Sequence, residues 1–400
     1  MRPFARRCPA ALLAAALCAA PAQAAWLLSQ KVYDAVAAAA AQAEDGQHDA
    51  ARAALERLAA RGSLNPYERA AVEQQLGAIA SARGDYPKAA SHFETALAAD
   101  GLPEAFAGQL RYNTAQIYLA LDRAGDALAL LKPLFDGDAE PPPESYFSMA
   151  SALHYLERDA EALEWAEQGL RGHPSPAEGH YALVSGLNLR LERWRRAREL
   201  LQEMIRRFPD KAVYWRQLTA VWMELGDDKQ ALVVGELGHS RGVLAQGRDV
   251  LQLARLYLYH DFPHKAAHLL QRGLDDGVVA GKAAHWALLA SAWSNAREHA
   301  RAVAPLQKAA QLSDTGELFL RLARLRVEDE DWPRAHRSLA AALRRGGLAD
   351  EPGARLLNGI VLAKLDRTAE AEAEFSYCLD FKTTRTDATR WLEYLGQANR

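Results

Sequence analysis

The chain has 400 residues, half of them hydrophobic and a quarter charged, a balance that excludes intrinsic disorder. Its 48 basic and 51 acidic residues give a formal charge of −3, and no Lys/Arg-rich block occurs. That excludes the basic surfaces on which nucleic-acid and anionic-lipid binding ordinarily rest.

Residues 1–24 read as a secretory signal peptide. Arg2, Arg6 and Arg7 make a positive start, Ala10 to Ala20 a short apolar stretch, and Ala22-Gln23-Ala24 a small-residue cleavage site. Cleavage is expected after Ala24. Leu17 is too large for a lipid-attachment site at Cys18, and Arg6-Arg7 lacks the flanking residues of a twin-arginine signal. Without the leader, 45 basic residues face 51 acidic ones, and Cys378 is the one cysteine left. An internal disulfide is then impossible, and Cys378 falls at a small-residue helical position where a buried, inert thiol is expected. No later segment approaches the roughly 20 apolar residues that a membrane-spanning helix needs.

From residue 25 onward one pattern returns. A small residue follows a turn at Ala51, Ala89, Ala127, Ala162, Ala197, Ala231, Ala266, Ala302, Ala335 and Ala371, at intervals of 38, 38, 35, 35, 34, 35, 36, 33 and 36 residues. The fullest copy runs Glu73, Leu76, Gly77, Gly84, Tyr86, Ala89, Phe93, Ala96, Leu97, and good copies surround Trp215, Trp222 and Gly226 and then Trp286, Trp293 and Ala302. A period near 34 residues with these letters resembles the tetratricopeptide repeat, a helix–turn–helix unit that stacks on its neighbours. The resemblance covers the whole chain after the leader. It implies an all-α fold, a superhelical solenoid of about ten helix pairs, A and B in each, with a C-terminal capping helix.

In chain order, residues 25–136 hold the N-terminal repeats. Gly62-Ser63 closes the first pair, and Pro66 suits the first turn of the next helix. Residues 137–143, containing Pro141-Pro142-Pro143, form an extended inter-repeat loop and a candidate hinge. Residues 144–383 carry the remaining repeats. Residues 384–400 supply the cap, with Ala388, Trp391, Leu392 and Leu395 on one side.

No phosphate-loop, dinucleotide, nucleophile-elbow or zinc-hydrolase string occurs, so a non-catalytic protein without cofactor or metal is expected. His264 and His268 stand four apart, near His260, but no third ligand stands at matching spacing, and they read as surface histidines. The aromatic residues at repeat positions, such as Tyr86, Trp194, Trp222, Trp293 and Phe375, read as packing between helices.

The tetratricopeptide resemblance implies that A helices line a concave wall. Stepping from the packing positions gives a lining of Tyr112, Gln116, Phe147, His154, Tyr155, Arg190, Arg216, Glu224, Arg248, Arg255, Tyr259 and Arg324. Tyrosine and arginine are enriched where proteins grip one another, so a peptide or helix of another protein is the expected occupant. Asn113 alone, with Ala78, Glu144 and Ser148 in neighbouring repeats, lacks the cations of a carboxylate clamp.

A narrower resemblance rests on Lys31-Val32-Tyr33, Leu64-Asn65-Pro66-Tyr67-Glu68-Arg69-Ala70, Gly84-Asp85-Tyr86-Pro87-Lys88-Ala89, Gly101-Leu102-Pro103 and Trp391-Leu392-Glu393-Tyr394-Leu395. These strings look like the periplasmic tetratricopeptide proteins that accompany TonB, ExbB and ExbD energy-transduction systems. The resemblance implies a periplasmic adaptor with TonB- or ExbD-type partners and a role in nutrient uptake. The alternative of the same class is a scaffold for envelope biogenesis, in polysaccharide export or outer-membrane protein assembly.

Overall fold

The computed structural model describes residues 28–60, 64–100, 102–136 and 141–398. The expected leader, its two cysteines, the Gly62-Ser63 turn and residues 137–140 of the proline-rich loop lie outside these. Every regular element described is helical, and none of the helices is long and apolar enough to cross a membrane.

Ten antiparallel pairs follow one another. The first five are α1 (Gln30–Glu44) with α2 (His48–Ala59), α3 (Pro66–Ala82) with α4 (Tyr86–Leu97), α5 (Glu104–Ala120) with α6 (Ala124–Leu131), α7 (Pro143–Tyr155) with α8 (Asp159–Gly172), and α9 (Glu178–Arg190) with α10 (Trp194–Arg207). The next five are α11 (Ala212–Glu224) with α12 (Asp228–Ser240), α13 (Gly247–Tyr259) with α14 (Pro263–Asp275), α15 (Ala283–Asn295) with α16 (His299–Leu312), α17 (Glu317–Glu328) with α18 (Trp332–Arg345), and α19 (Glu351–Lys364) with α20 (Thr368–Cys378). A single helix, α21 (Arg385–Ala398), ends the series. The all-α repeat architecture and the closing helix are those expected from the sequence.

One register explains why the pairs form. All ten alanines of the repeating series are 0% exposed, and each is the fourth residue of its B helix. A side chain no larger than a methyl lets the two helices of a pair approach closely. Five residues before each alanine stands a left-handed residue that reverses the chain: Gly46, Gly84, Asp122, Glu157, Glu192, Gly226, Asp261, Arg297, Glu330 and Asp366. Only three of these are glycine, although a side chain at positive φ costs about 1–2 kcal/mol. The motif is the helix C-terminus that closes with a left-handed residue, as in Asp331 N–H donating to the Arg326 carbonyl at 2.9 Å. Where the next helix begins, aspartate caps recur at Asp85, Asp227 and Asp331.

The chain divides into two compact units, one ending at Leu200 and the other starting at Leu201. In the first unit, Val32, Val36, Leu55, Val72, Leu76 and Ile79 form a dry cluster among α1, α2 and α3. Pro66 opens α3 as expected. Asn65 accepts from the Glu68 N–H at 2.8 Å, and Glu68 accepts from the N–H groups of Asn65 and Ser29, both at 3.0 Å. These bonds hold the Glu68 carboxyl below the usual carboxylate range against a smaller effect of burial.

In the second unit a continuous cluster runs from Ala231 and Leu253 through Leu270 and Trp293 to Leu325. At the end of this unit a separate cluster forms where α21 covers α20: Trp391 stacks on Phe375 at 5.7 Å and 11°, and Ala388 and Leu395 are buried. The last repeat would otherwise present this apolar face to water, at roughly 25 cal/mol per Å². Cys378 is buried there as expected, and burial pushes its thiol pKa up.

Candidate partner-binding face

The left-handed turn residues give a common ruler for the A helices. Positions two and six before the turn lie about 40° apart on one helix face, and positions nine and thirteen before it fall within about 20° of the first, at 100° per residue. The position ten before it lies about 80° from the position two before. Most residues two before the turn are exposed, whereas ten before the turn the chain is in contact with another layer. The lining expected from the sequence mixes these two kinds of position, and the structure separates them.

In the first unit, Phe147 stands ten before its turn and is buried rather than lining an open wall. It stacks on His180 at 3.8 Å with the rings 5° from parallel. Tyr112, at the same register, is half-buried and accepts a hydrogen bond from the Gln116 side-chain amide. Arg190 is exposed but engaged, its Nε donating to Asp159 Oδ2 at 2.7 Å while His154 Nδ1 lies 2.5 Å from Oδ1. Burial acts to raise the Asp159 pKa, but these two bonds outweigh it and hold the carboxyl below its ordinary range. Tyr155 is 45% exposed and, with Leu156 and residues 122–126, lines an open cleft of about 360 Å³.

In the second unit, Arg216 also stands ten before its turn. Its guanidinium grips Asp249 with two bonds, Nε to Oδ1 at 2.7 Å and Nη2 to Oδ2 at 3.2 Å. The Asp249 carboxylate is 2% exposed and also accepts the Gln246 N–H at 3.1 Å. Arg216 is therefore an internal tie between α11 and α13, and its removal from the candidate face is a correction of the sequence reading. The reason is register together with a carboxylate 33 residues away that no local pattern announces.

What remains exposed is concentrated on α13. Exposed Arg248, Arg255 and Tyr259 stand thirteen, six and two before the turn at Asp261, with half-buried Gln252 nine before it, within an arc of about 60°. Tyr259 is 72% exposed, with His260 edge-on to its ring at 5.2 Å. Arg248 and Arg255 are exposed and have no hydrogen-bond or ion-pair partner among the described residues. At matching positions, α11 presents exposed Glu224, and α17 presents exposed Arg321 and Arg324, with Arg321 donating to Ser291 of α15 at 2.7 Å.

His264 and His268 are exposed and meet the Trp293 ring edge-on at 6.3 and 5.1 Å. They belong to no trio of ligating side chains among the described residues. The trio that does come together, Glu144, His173 and His180, was not anticipated from the sequence. Its only sequence signal is two histidines flanking Pro174 and Pro176.

The tetratricopeptide repeat family profile matches residues 75–134 and 320–381, which run from within α3 past α6 and from α17 to just beyond α20. These two stretches carry tetratricopeptide repeats, a repeat class whose members bind proteins and peptides. No curated protein matches the sequence. Among solved structures it is similar to a tetratricopeptide repeat protein from Parabacteroides merdae, at 14% identity over 74% of this chain and 98% of that one, with a TM-score of 0.42. It is similar also to YrrB, described as a TPR protein with an unusual peptide-binding site, at 13% identity over 48% of this chain and 97% of that one, with a TM-score of 0.40. The APC/C hetero-tetramer Cut9–Hcn1 aligns at 13% identity over 92% of this chain and 78% of that one, with a TM-score of 0.30.

Proposed function

We propose that this protein is a non-catalytic adaptor that grips an acidic, extended or helical segment of another protein on the exposed face of α13. The observation that carries the proposal is the stripe of Arg248, Arg255 and Tyr259: two guanidiniums without a counter-ion among the described residues, beside a tyrosine that is 72% exposed. Elsewhere in the second unit Arg216 is tied to Asp249 and Arg321 to Ser291. Unpaired guanidiniums in water lose little on meeting a carboxylate and can bind it with two parallel bonds. A rigid ring at their side adds apolar contact at small entropic cost. Such an adaptor makes and breaks no covalent bond.

For the setting, the positive leader with its Ala22-Gln23-Ala24 site supports export, and the short strings quoted above support the periplasm and an accessory role in a TonB-type energy-transduction and nutrient-uptake complex. TonB- or ExbD-type components are the partners proposed. A scaffold for envelope biogenesis uses the same face with a different partner, and the identity of the captured protein separates the two. The test is site-specific photocrosslinking from position 259 in cells, read by mass spectrometry. A crosslinked segment rich in Asp and Glu, lost when Arg255→Ala is added to the protein carrying the crosslinker, supports the adaptor reading.

A further inference from the structure

The cluster of Glu144, His173 and His180 lies within the first unit, where three elements meet: the first turn of α7, the end of α8 and the first turn of α9. His173 Nε2 lies 2.9 Å from Glu144 Oε1, and His180 Nε2 lies 2.8 Å from Glu144 Oε2, so one carboxylate serves both rings. On the far side of each ring, the Ser175 N–H donates to His173 Nδ1 at 3.1 Å and the Ala177 N–H donates to His180 Nδ1 at 3.2 Å. After His173 the connection to α9 runs Pro174, Ser175, Pro176 and Ala177, and the prolines bring no N–H. Both N–H groups of that tetrapeptide are therefore held by imidazole nitrogens.

The protons can be counted. A neutral imidazole carries one N–H. Each Nδ1 accepts a backbone N–H, so the ring proton sits on Nε2 and is donated to Glu144. A second proton has only Nδ1 to occupy, and there it would point at a backbone N–H that points back. A divalent cation meets the same obstacle. The three donor atoms lie within 4.8 Å of one another, but ligation through Nε2 would move each ring proton to Nδ1, against Ser175 and Ala177. The tautomers thus oppose an ion and favour a metal-free clasp.

We propose that Glu144, His173 and His180 form an acid-sensitive clasp that ties the connection between α8 and α9 to the first turn of α7 and releases it when the His180 imidazole takes up a second proton. Burial pulls the His180 pKa below its ordinary value. Glu144, facing it from α7, works the other way, and His173 at the end of α8 adds to the lowering. Phe147, one turn along α7 and stacked on His180, contributes no charge. A histidine with a depressed folded-state pKa stabilises the closed form fully above the unfolded value of about 6.5. That contribution is lost as the pH falls through this value toward the folded one. The released segment leads into α9, so the loss of order concerns the junction of two repeats within one unit.

The test uses the full chain with ¹⁵N-labelled histidine and amide hydrogen exchange. At about pH 7.5 both rings are expected as the Nε2–H tautomer, with the Ser175 and Ala177 amides protected. Between about pH 7 and about pH 5, after correction for intrinsic rates, that protection is expected to be lost while α3 and α4 keep theirs. In Glu144→Gln, protection of the same two amides is expected to be weaker already at neutral pH. Rings found as the Nδ1–H tautomer, or protection of Ser175 and Ala177 that does not change with pH, would overturn the clasp. So would one equivalent of zinc raising that protection, which would make the cluster a metal site.

Discussion

Replacing Arg216 by alanine separates its structural role from that of Arg255. The substitution leaves the Asp249 carboxylate, 2% exposed, without its bidentate partner and with the Gln246 N–H as a remaining donor. Removing one member of a buried ion pair costs about 3–5 kcal/mol. Arg216 itself is 24% exposed and some water can enter, so the lower end, about 3 kcal/mol, is expected. For a unit of this size that corresponds to a fall of roughly 6–12 °C in melting temperature. Arg255→Ala, at an exposed position without partners, should stay within about 0.5 kcal/mol of wild type. Stacked repeats need not unfold as one step, so the assay follows the fluorescence of Trp215, adjacent to Arg216 and 3% exposed, together with hydrogen exchange in α11 and α13. If Arg216→Ala melts like wild type, or weakens partner capture as Arg255→Ala does without destabilisation, the register argument is wrong.

Gly359→Ala should destabilise the C-terminal repeat by about 1–3 kcal/mol by overpacking. The new methyl would sit 2.6 Å from Phe375 Cε1, and that ring is fully buried and held by Trp391. A lowered urea midpoint checks it. Glu330→Gly should stabilise by about 0.5–1 kcal/mol, since relief of a left-handed side chain (about 1–2 kcal/mol) exceeds the added chain entropy of glycine. A raised urea midpoint is the expected readout, and a lowered one would mean that the Glu330 side chain makes a favourable interaction in the fold.

The architecture was legible because its determinants are local and repeated. The alanine series Ala51 to Ala371 marks where each pair touches, and every member is fully buried. The turns were less legible. Gly46, Gly84 and Gly226 announce a left-handed residue by type, while Asp122, Glu157, Glu192, Asp261, Arg297, Glu330 and Asp366 adopt the same conformation under the constraint of the packed helices. The exposure of the candidate residues was half legible. Tyr155, Arg190, Arg255, Tyr259 and Arg324 are exposed as expected, but Phe147 and Arg216 were misplaced by about 80° of helix rotation. Without the turn residue as a ruler, an error of that size leaves the hydrophobic pattern intact. The partners that engage Arg190 and Arg216, Asp159 and Asp249, lie 31 and 33 residues away, as do the 29 residues between Glu144 and His173. One repeat length brings such residues side by side, and only the folded layers show which of them meet.

The most direct measurement is photocrosslinking from position 259 in cells, in otherwise wild-type protein and in Arg255→Ala, with melting temperature recorded for both and Arg216→Ala included as the control for lost structure. The account predicts a captured protein whose crosslinked segment is acidic, capture that falls with added salt, and loss of capture in Arg255→Ala at an unchanged melting temperature. Undiminished capture by Arg255→Ala, or crosslinks that map to segments without carboxylates, would contradict binding of an acidic segment on α13.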